Sequence, residues 1–334
     1  MIGAFRSRVI RTGILGAARI APRALIEPAS RRSDVRPLYV AARDPGRACR
    51  YAEQYGLRAE SSYEALLMRD DIDLVYVALP AAVHKHWTLR ALECGKAVLC
   101  EKPFAMNARE AQEMVTAATG AGLPLIEAFH YRFHRAMYRA QSIVRSGQLG
   151  RLLRARACFA TQIQYAADEL RWCADQGGGA VMDLGCYPIH ALRTLLGEEP
   201  HVESARAVYA HGVEAQAWAT LSFPSGVRAQ IWCSMQEPKI SWDLEIIGEF
   251  GQLVLSNFVA PQYGCVLRTE IHGHSAEQAI DGPSTYDAQL EHVADVLLNG
   301  APTVTGGVDA VANMRVLDEV RLQAMRIALE AINP

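Results

Sequence analysis

Strands and helices alternate through residues 9–129, and this alternation restricts the possible folds more than any other feature of the chain. Apolar runs of strand length lie at 9–15, 35–43, 71–80, 96–103 and 124–129. Segments with helical periodicity separate these runs. Because adjacent parallel strands need a crossover of this kind, the pattern predicts βαβ units in an α/β fold with a doubly wound parallel sheet.

The pattern changes after about residue 130. Helices are expected at 134–147, around 177–196 after a Gly-rich run, at 286–299 and at 308–331, with period-two runs at 202–211, 215–223, 227–235, 241–248 and 252–259. This order predicts an α+β part built on a large, mostly antiparallel open sheet. Since 334 residues exceed what one core usually supports, we expect two domains, 1–128 and 129–334.

Charge and composition exclude several classes of partner. The net charge of −2 provides no positive field for nucleic acid. No segment has the roughly 18 uninterrupted apolar residues of a membrane span, and the N-terminal stretch lacks the apolar run of a signal peptide. Eight cysteines without a C-x-x-C pair indicate reduced thiols. A cytoplasmic protein that binds neither nucleic acid nor membrane is expected.

The turn after the first strand reads Gly16-Ala17-Ala18-Arg19-Ile20. In a dinucleotide-binding fingerprint, the three glycine places would be held here by Gly16, Ala18 and Ala21. Alanine at the second place adds a methyl group where a pyrophosphate should come close. The turn still ends a strand, opens a helix and offers N–H groups to an anion. We therefore expect residues 16–20 to contact a dinucleotide and residues 1–128 to form its domain.

Arg43 follows the second strand, where NAD enzymes usually carry an acidic residue for the ribose 2′-hydroxyl. An arginine can pair with a 2′-phosphate and can stack on adenine. This favours NADP(H), with NAD as the alternative. A solvated arginine at the start of a helix is the other interpretation of Arg43.

Four motifs in order give the chain a family resemblance. They are the turn above, the segment 78–114 with Glu101-Lys102-Pro103, "EAFHYRFH" at 127–134 and "GGGAVMDLGCYPIHALRTLLG" at 177–197. The chain resembles the glucose–fructose oxidoreductase / inositol dehydrogenase superfamily from about residue 10 to its last helix. Its D-x-G-x-Y motif is most similar to the branch of glucose–fructose oxidoreductase and dimeric dihydrodiol dehydrogenase.

The resemblance implies a dehydrogenase whose catalytic residues include Lys102 and Tyr187. Lys102 is expected at the carboxyl end of a parallel strand, where open α/β sheets bind ligands. Free tyrosine titrates near 10, and a neighbouring ammonium group lowers that pKa. Tyr187 is therefore interpreted as the general acid/base and Lys102 as its electrostatic partner. The alternatives are a surface lysine and an aromatic residue packed in a helix core.

Asp183 and His190 lie four residues before and three after Tyr187, on one helical face. The resemblance makes Asp183 a hydroxyl acceptor in the substrate pocket, and His190 either a proton relay or a structural histidine. Arg171 and Trp172 are further pocket candidates. Relatives commonly carry arginine where this chain has Cys173, which leaves the substrate open.

The same resemblance extends the cofactor contacts to Leu79, Pro80, His84, Glu101, Lys102 and Arg132. An ordinary salt bridge is the alternative for Arg132. Three histidine pairs, 84/86, 130/134 and 272/274, have spacings that could share a metal. No third ligand with suitable spacing stands near any pair, so we expect no metal.

These features predict an NADP(H)-dependent oxidoreductase acting on a secondary alcohol or carbonyl of a sugar, polyol or related cyclic compound. A trans-dihydrodiol dehydrogenase is one alternative. A nucleotide-sensing regulator without turnover is another, against which the presence of both Lys102 and Tyr187 argues. By analogy with relatives that associate through the open sheet of the second domain, a homodimer or homotetramer is expected.

Overall fold

The computed structural model describes residues 9–332, with side chains described up to residue 328. The chain divides into two compact units. The first contains the described residues up to His130 together with Tyr286–Val311, and the second contains Tyr131–Thr285 and the residues from Ala312 onward. The sequence had assigned everything after residue 128 to the second domain, so the segment 286–311 differs from that expectation.

The first unit is built on a six-stranded sheet. Its strands are β1 (Ile10–Leu15), β2 (Val35–Ala41), β3 (Arg58–Ala59), β4 (Leu74–Val77), β5 (Ala97–Cys100) and β6 (Leu125–Glu127). They are ordered β3-β2-β1-β4-β5-β6, and every pair is parallel. The doubly wound parallel sheet predicted from the sequence is confirmed, and the carboxyl ends of its strands lie along one edge.

Helices connect these strands. They are a π-helical turn (Pro22–Ile26) continued by α1 (Glu27–Ser30), then α2 (Pro45–Tyr55), α3 (Tyr63–Leu67), α4 (His84–Glu93) and α5 (Ala108–Ala121). The sequence predicts that the turn at residues 16–20 opens a helix. The structure starts it at Pro22, and Pro28 explains the π-helical turn, because proline has no N–H to donate to the carbonyl four residues earlier.

A later helix completes the first unit. Helix α8 (Thr285–Asn299) buries Leu290, Val293 and Leu297 in the same apolar cluster as Ile14 and Leu74 of the sheet. These contacts explain why residues 286–311 belong to the first unit. They are distant in sequence from the strands, so periodicity alone does not reveal which sheet the helix covers.

The second unit is built on a nine-stranded sheet. Its strands are β7 (Leu152–Gln162), β8 (His201–Ala210), β9 (Val213–Ser222), β10 (Arg228–Ser234), β11 (Gln236–Ser241), β12 (Leu244–Gly248), β13 (Gly251–Leu255), β14 (Val266–Ile271) and β15 (His274–Ala279). The order is β15-β14-β13-β12-β7-β10-β9-β8, with β11 also paired to β7. Only β7 and β10 run parallel among these described strands. The mostly antiparallel sheet is thus confirmed.

One face of this second sheet is covered and the other is open. Helix α7 (Cys186–Leu196), which follows a π-helical turn (Val181–Gly185), packs on β7 and β10. Helix α6 (Arg135–Arg145) and the part of α9 (Gly307–Ile332) from Ala312 onward also belong to the unit. On the open face, a cavity of about 880 Å³ is lined by residues that include Arg206, Trp218 and Trp232. Within residues 9–332, no helix is both long and apolar enough to cross a membrane.

Candidate active site

Gly16 makes the turn at the carboxyl end of β1. Its φ is 105°, and a Cβ at this position would lie 2.5 Å from the carbonyl oxygen of Ala78. Its N–H donates to Ala41 O at 2.9 Å. The end of β1 therefore lies against the ends of both neighbouring strands, and only glycine fits there without a shift of the backbone.

The loop after Gly16 is fixed through its carbonyl groups. Arg47 Nη2 donates to Ala17 O at 2.8 Å, and the Tyr51 hydroxyl donates to Ala18 O at 3.0 Å. Within the described part of the chain, no group accepts a hydrogen bond from the N–H of Ala17, Ala18 or Ile20. Such backbone N–H groups at the start of a helix suit a pyrophosphate.

Ala18, which replaces the second glycine of the fingerprint, packs against the apolar core of the first unit. Its methyl group therefore contributes to that core. This packing weakens the objection that alanine obstructs a phosphate, and residues 16–20 fit a dinucleotide.

Arg43 lies just beyond β2 and is exposed. The acidic residue beside it, Asp44, caps helix α2 by accepting the N–H of Gly46 at 2.9 Å. Burial raises the pKa of the Tyr63 phenol, and a hydrogen bond with the backbone of Arg43 partly opposes this effect. Arg43 is thus an exposed residue at the end of β2, where the 2′ position of a bound adenosine ribose is recognised in such folds.

His84 connects the loops that follow β4 and β5. Its Nε2 lies 2.7 Å from Leu79 O and its Nδ1 lies 3.1 Å from Pro103 O. The ring is 1% exposed, and burial lowers its pKa below the usual value. His84 therefore links the loop that contains Leu79 and Pro80 to the loop that contains Glu101, Lys102 and Pro103.

Glu101 and Lys102 stand at the carboxyl end of β5. The carboxylate of Glu101 accepts a hydrogen bond from the buried Tyr76 hydroxyl at 2.5 Å and from the Lys102 N–H at 3.3 Å. Lys102 is half-buried and is joined to Pro103 by a cis peptide bond. Burial and then the Lys102 charge lower the pKa of His130 to about 3. The ammonium group thus lies near neutral imidazoles, and the sequence did not single out Tyr76.

In the second unit, the Gly run before Asp183 lies against other backbone. A Cβ on Gly178 would lie 2.7 Å from the carbonyl oxygens of Arg171 and Cys173, and one on Gly179 would lie 2.4 Å from Glu214 Oε2. The N–H of Asp183 donates to Gly179 O at 3.0 Å. Glycine is needed because the residues that precede α7 pass directly beside residues 171–173.

Tyr187 lies in the first turn of α7 and is 4% exposed. Its ring contacts those of Tyr131 and Phe159, with centroids 5.7 Å and 5.4 Å away. His190, one turn further along, forms a 2.5 Å hydrogen bond between Nδ1 and the Tyr131 hydroxyl. The structure therefore groups Tyr187 and His190 around Tyr131, which the sequence did not single out.

Arg171 is paired with a neighbour. Its Nε and Nη2 donate to the two carboxylate oxygens of Glu169, each at 2.8 Å. This pairing, together with the charge of Asp183, raises the pKa of Arg171. Trp172 is buried and donates its indole N–H to Ile163 O at 3.1 Å. The sequence did not single out Glu169, because a carboxylate two residues from an arginine usually lies on the surface.

Arg132 has a buried guanidinium nitrogen, Nη1, that makes no hydrogen bond to any residue the structure describes. The guanidinium carbon lies 5.4 Å from the centre of the Tyr138 ring. A buried N–H without a partner is costly in a folded protein. Arg132 thus fits a contact with a bound group. Among the side chains of residues 9–328, no three His, Cys, Asp or Glu residues are grouped as a metal site.

Comparisons with known proteins extend over most of the chain. Residues 10–129 match the model of the oxidoreductase family with an NAD-binding Rossmann fold, and residues 137–254 match that of the GFO/IDH/MocA C-terminal domain. The D-xylose 1-dehydrogenase (NADP(+)) 2 of Haloferax volcanii is 32% identical over 92% of this chain and 95% of its own. The dTDP-3,4-didehydro-2,6-dideoxy-alpha-D-glucose 3-reductase of Streptomyces antibioticus is 34% identical, with 85% and 86% covered.

A solved structure agrees over the whole fold. It is that of KijD10, a 3-ketoreductase from Actinomadura kijaniata in complex with NADP and TDP-benzene, with a TM-score of 0.88 and 29% identity. The match covers 94% of this chain and 98% of KijD10. The resemblance that the sequence motifs indicated is confirmed: the chain belongs to the GFO/IDH/MocA family of oxidoreductases.

Proposed function

We propose that this protein is an NADP(H)-dependent dehydrogenase or reductase that acts on a secondary alcohol or carbonyl of a sugar or polyol. The observation that carries the proposal is the exposed Arg43 beside an amide-lined turn, with Lys102 at the end of β5 in the same unit. Two relatives, a D-xylose dehydrogenase named for NADP(+) and a 3-ketoreductase solved with NADP, support this choice of cofactor.

The first unit would hold the dinucleotide through residues of three loops. The N–H groups of Ala17, Ala18 and Ile20 bind the pyrophosphate, and Arg19 is the exposed residue of the same turn. Arg43 pairs with the 2′-phosphate, which is the group that distinguishes NADP from NAD. When bound, the nicotinamide accepts or supplies the hydride. Leu79, Pro80 and Glu101 line the loops that His84 holds together.

Tyr187 would move the proton. In the oxidative direction, its phenolate accepts the hydroxyl proton of the substrate, and in the reductive direction the phenol returns it. The pKa of a free phenol near 10 is too high for this role at neutral pH. This role therefore needs a cationic group that lowers the pKa of Tyr187, which is the part that the sequence motifs assign to Lys102. Asp183 accepts a hydrogen bond from a second substrate hydroxyl, and Arg132 contacts the bound cofactor.

Uncharged sugars suit the pocket residues of the second unit best. Glu169 compensates the charge of Arg171, and position 173 carries a cysteine where relatives commonly have an arginine. Neither position supplies an uncompensated cation for an anionic substrate. We therefore propose free aldoses and polyols ahead of acidic sugars.

An assay of cofactor reduction tests the proposed function. The purified protein is mixed with NADP⁺ or NAD⁺ and with D-xylose, other aldoses, polyols or a trans-dihydrodiol, and formation of reduced nicotinamide is followed. We expect turnover with an aldose or polyol and a higher kcat/KM for NADP⁺. Preference for the trans-dihydrodiol would support the alternative substrate class. Nucleotide binding without turnover on any compound would support a regulator instead.

We also propose that two or more copies associate through the open face of the nine-stranded sheet. Trp218 and Trp232 stand on this face, and the guanidinium carbon of Arg206 lies 4.9 Å from the centre of the Trp218 ring. Large aromatic and arginine side chains are typical of protein interfaces. Sedimentation velocity at micromolar concentration is expected to show a dimer or tetramer, and a monomer would contradict the proposal.

None of the eight cysteines, all of which lie in the described residues, forms a disulfide. We propose a reducing compartment such as the cytoplasm.

A further inference from the structure

Tyr131 is fully buried beside Tyr187. It has no role in the proposed hydride and proton transfer. It is 0% exposed, and its hydroxyl oxygen lies 2.5 Å from Nδ1 of His190, which is 1% exposed. The Tyr131 ring also contacts the ring of Tyr187, at 5.7 Å between centroids and an interplanar angle of 53°. One side chain thus contacts both the proposed acid/base and the histidine one turn beyond it.

We propose that Tyr131 is a positioning residue for Tyr187, and that its hydrogen bond with His190 fixes both the Tyr131 ring and the protonation state of His190. The role of Tyr187 rests on the proposed function.

The acidities of the two groups determine the direction of the hydrogen bond. A phenol is a stronger donor than a neutral imidazole N–H, and the unprotonated imidazole nitrogen is a stronger acceptor than a phenol oxygen. Tyr131 therefore donates to Nδ1, and His190 carries its single proton on Nε2. With Nδ1 accepting from Tyr131 and Nε2 carrying the proton, a direct proton transfer from Tyr187 to His190 requires that the hydrogen bond from Tyr131 be broken. This assigns His190 to positioning rather than to a proton relay.

Packing carries the effect from this hydrogen bond to Tyr187. The Tyr131 ring meets Phe258 edge-on, with centroids 5.4 Å apart, and Phe159 meets Tyr187 in the same manner at 5.4 Å. Tyr187 is thus held between Phe159 and Tyr131, and Tyr131 is held between Phe258 and His190. When the hydroxyl of Tyr131 is removed, its ring still fills the space, but the ring is no longer tied to helix α7.

Tyr131→Phe tests this role, with Tyr39→Phe as a matched control. The control also removes a hydroxyl hydrogen bond from a buried ring, to Asp71 at 2.9 Å, in the sheet of the first unit. We expect Tyr131→Phe to lower kcat about tenfold, since small displacements of a catalytic group reduce rates strongly. KM and the Kd for NADP⁺ should remain within about twofold of wild type. Tyr39→Phe should change stability but not kcat.

His190 variants test whether Tyr131 acts through the histidine. His190→Asn keeps an acceptor oxygen close to the position of Nδ1, and His190→Leu removes it. We expect the asparagine variant to retain most of kcat and the leucine variant to lose about as much as Tyr131→Phe. In the His190→Leu background, Tyr131→Phe should have little further effect, because the two residues act as a unit. Additive losses would overturn the inference.

Nuclear magnetic resonance of the unliganded protein reads the same hydrogen bond without turnover. Histidine nitrogen resonances should show His190 protonated on Nε2 with Nδ1 as an acceptor, and Tyr131→Phe should shift both that signal and the ring carbon signals of Tyr187. A His190 protonated on Nδ1, or Tyr187 signals unchanged by Tyr131→Phe, would overturn the inference. If the wild type turns over no substrate while these shifts occur, the proposed function fails and the positioning contact stands.

Discussion

Several residues that define the candidate site are held by partners distant in sequence. Glu101 is fixed by Tyr76 from the neighbouring strand, and the loop of Ala17 and Ala18 is fixed by Arg47 and Tyr51 of α2. The sequence motifs identify the residues that contact ligands, because those residues recur in a recognisable order. They do not identify the supporting residues, since a tyrosine inside an apolar strand has the pattern of ordinary core.

Arg43→Ala tests cofactor choice at the level of one side chain. Loss of a charge-assisted hydrogen bond to a phosphate should raise the KM for NADP⁺ roughly tenfold or more. The KM for NAD⁺ should change little, because NAD has no 2′-phosphate. Steady-state kinetics with both cofactors measure the effect. Arg50→Ala is the control, since Arg50 is an exposed arginine of α2 whose Nη2 lies 3.8 Å from Asp44 Oδ2. Equal losses with both cofactors would contradict the role of Arg43.

His130 is expected to make the free energy of unfolding depend on pH in the acidic range. Burial, and then the charge of Lys102, lower its pKa to about 3 in the folded state, compared with about 6.5 when unfolded. Below pH 6.5 the unfolded chain binds a proton that the folded chain does not, so the free energy of unfolding should decrease as the pH falls toward 3. His130→Gln should flatten this part of the profile in urea titrations, whereas the exposed His86→Gln should leave it unchanged.

At the level of elements, periodicity and capping residues predicted most helices and strands. They failed where contacts between segments distant in sequence determine the structure. Local signals set both ends of helix α2, because Asp44 caps its start and Gly56 takes the left-handed conformation after its end. The hairpin of β14 and β15 was not foreseen, because β15 is exposed throughout and has no apolar alternation. Nor could periodicity show that α8 covers the sheet of the first unit.

Leu290→Ala tests the assignment of α8. Leu290 is fully buried in the cluster that contains Ile14 and Leu74, so truncation should lower the free energy of unfolding by about 2–5 kcal/mol. Hydrogen exchange should show faster exchange in β1 and β4 of the first unit. Leu322→Ala on α9 is the control, because that side chain is 44% exposed. Exchange that accelerates only in the second unit would contradict the assignment.

At the level of the whole molecule, the candidate site residues are divided between the two units. The first has the amide-lined turn, Arg43 and Lys102, and the second has Asp183, Tyr187 and the Glu169–Arg171 pair. The sequence predicted both folds and the family, because strand alternation and ordered motifs persist along the chain. The sequence did not predict side-chain pairings such as that of Glu169 with Arg171, because only the three-dimensional arrangement shows them.

The most direct test of the account compares wild type with Tyr187→Phe, using NADP⁺ and the best aldose or polyol substrate. The variant keeps the aromatic ring and loses only the proposed proton acceptor. We predict that kcat falls by a factor of about 10² to 10⁴, as for loss of a general acid/base, while the Kd for NADP⁺ stays within about twofold of wild type. A Tyr187→Phe enzyme with wild-type turnover would contradict the proposed chemistry.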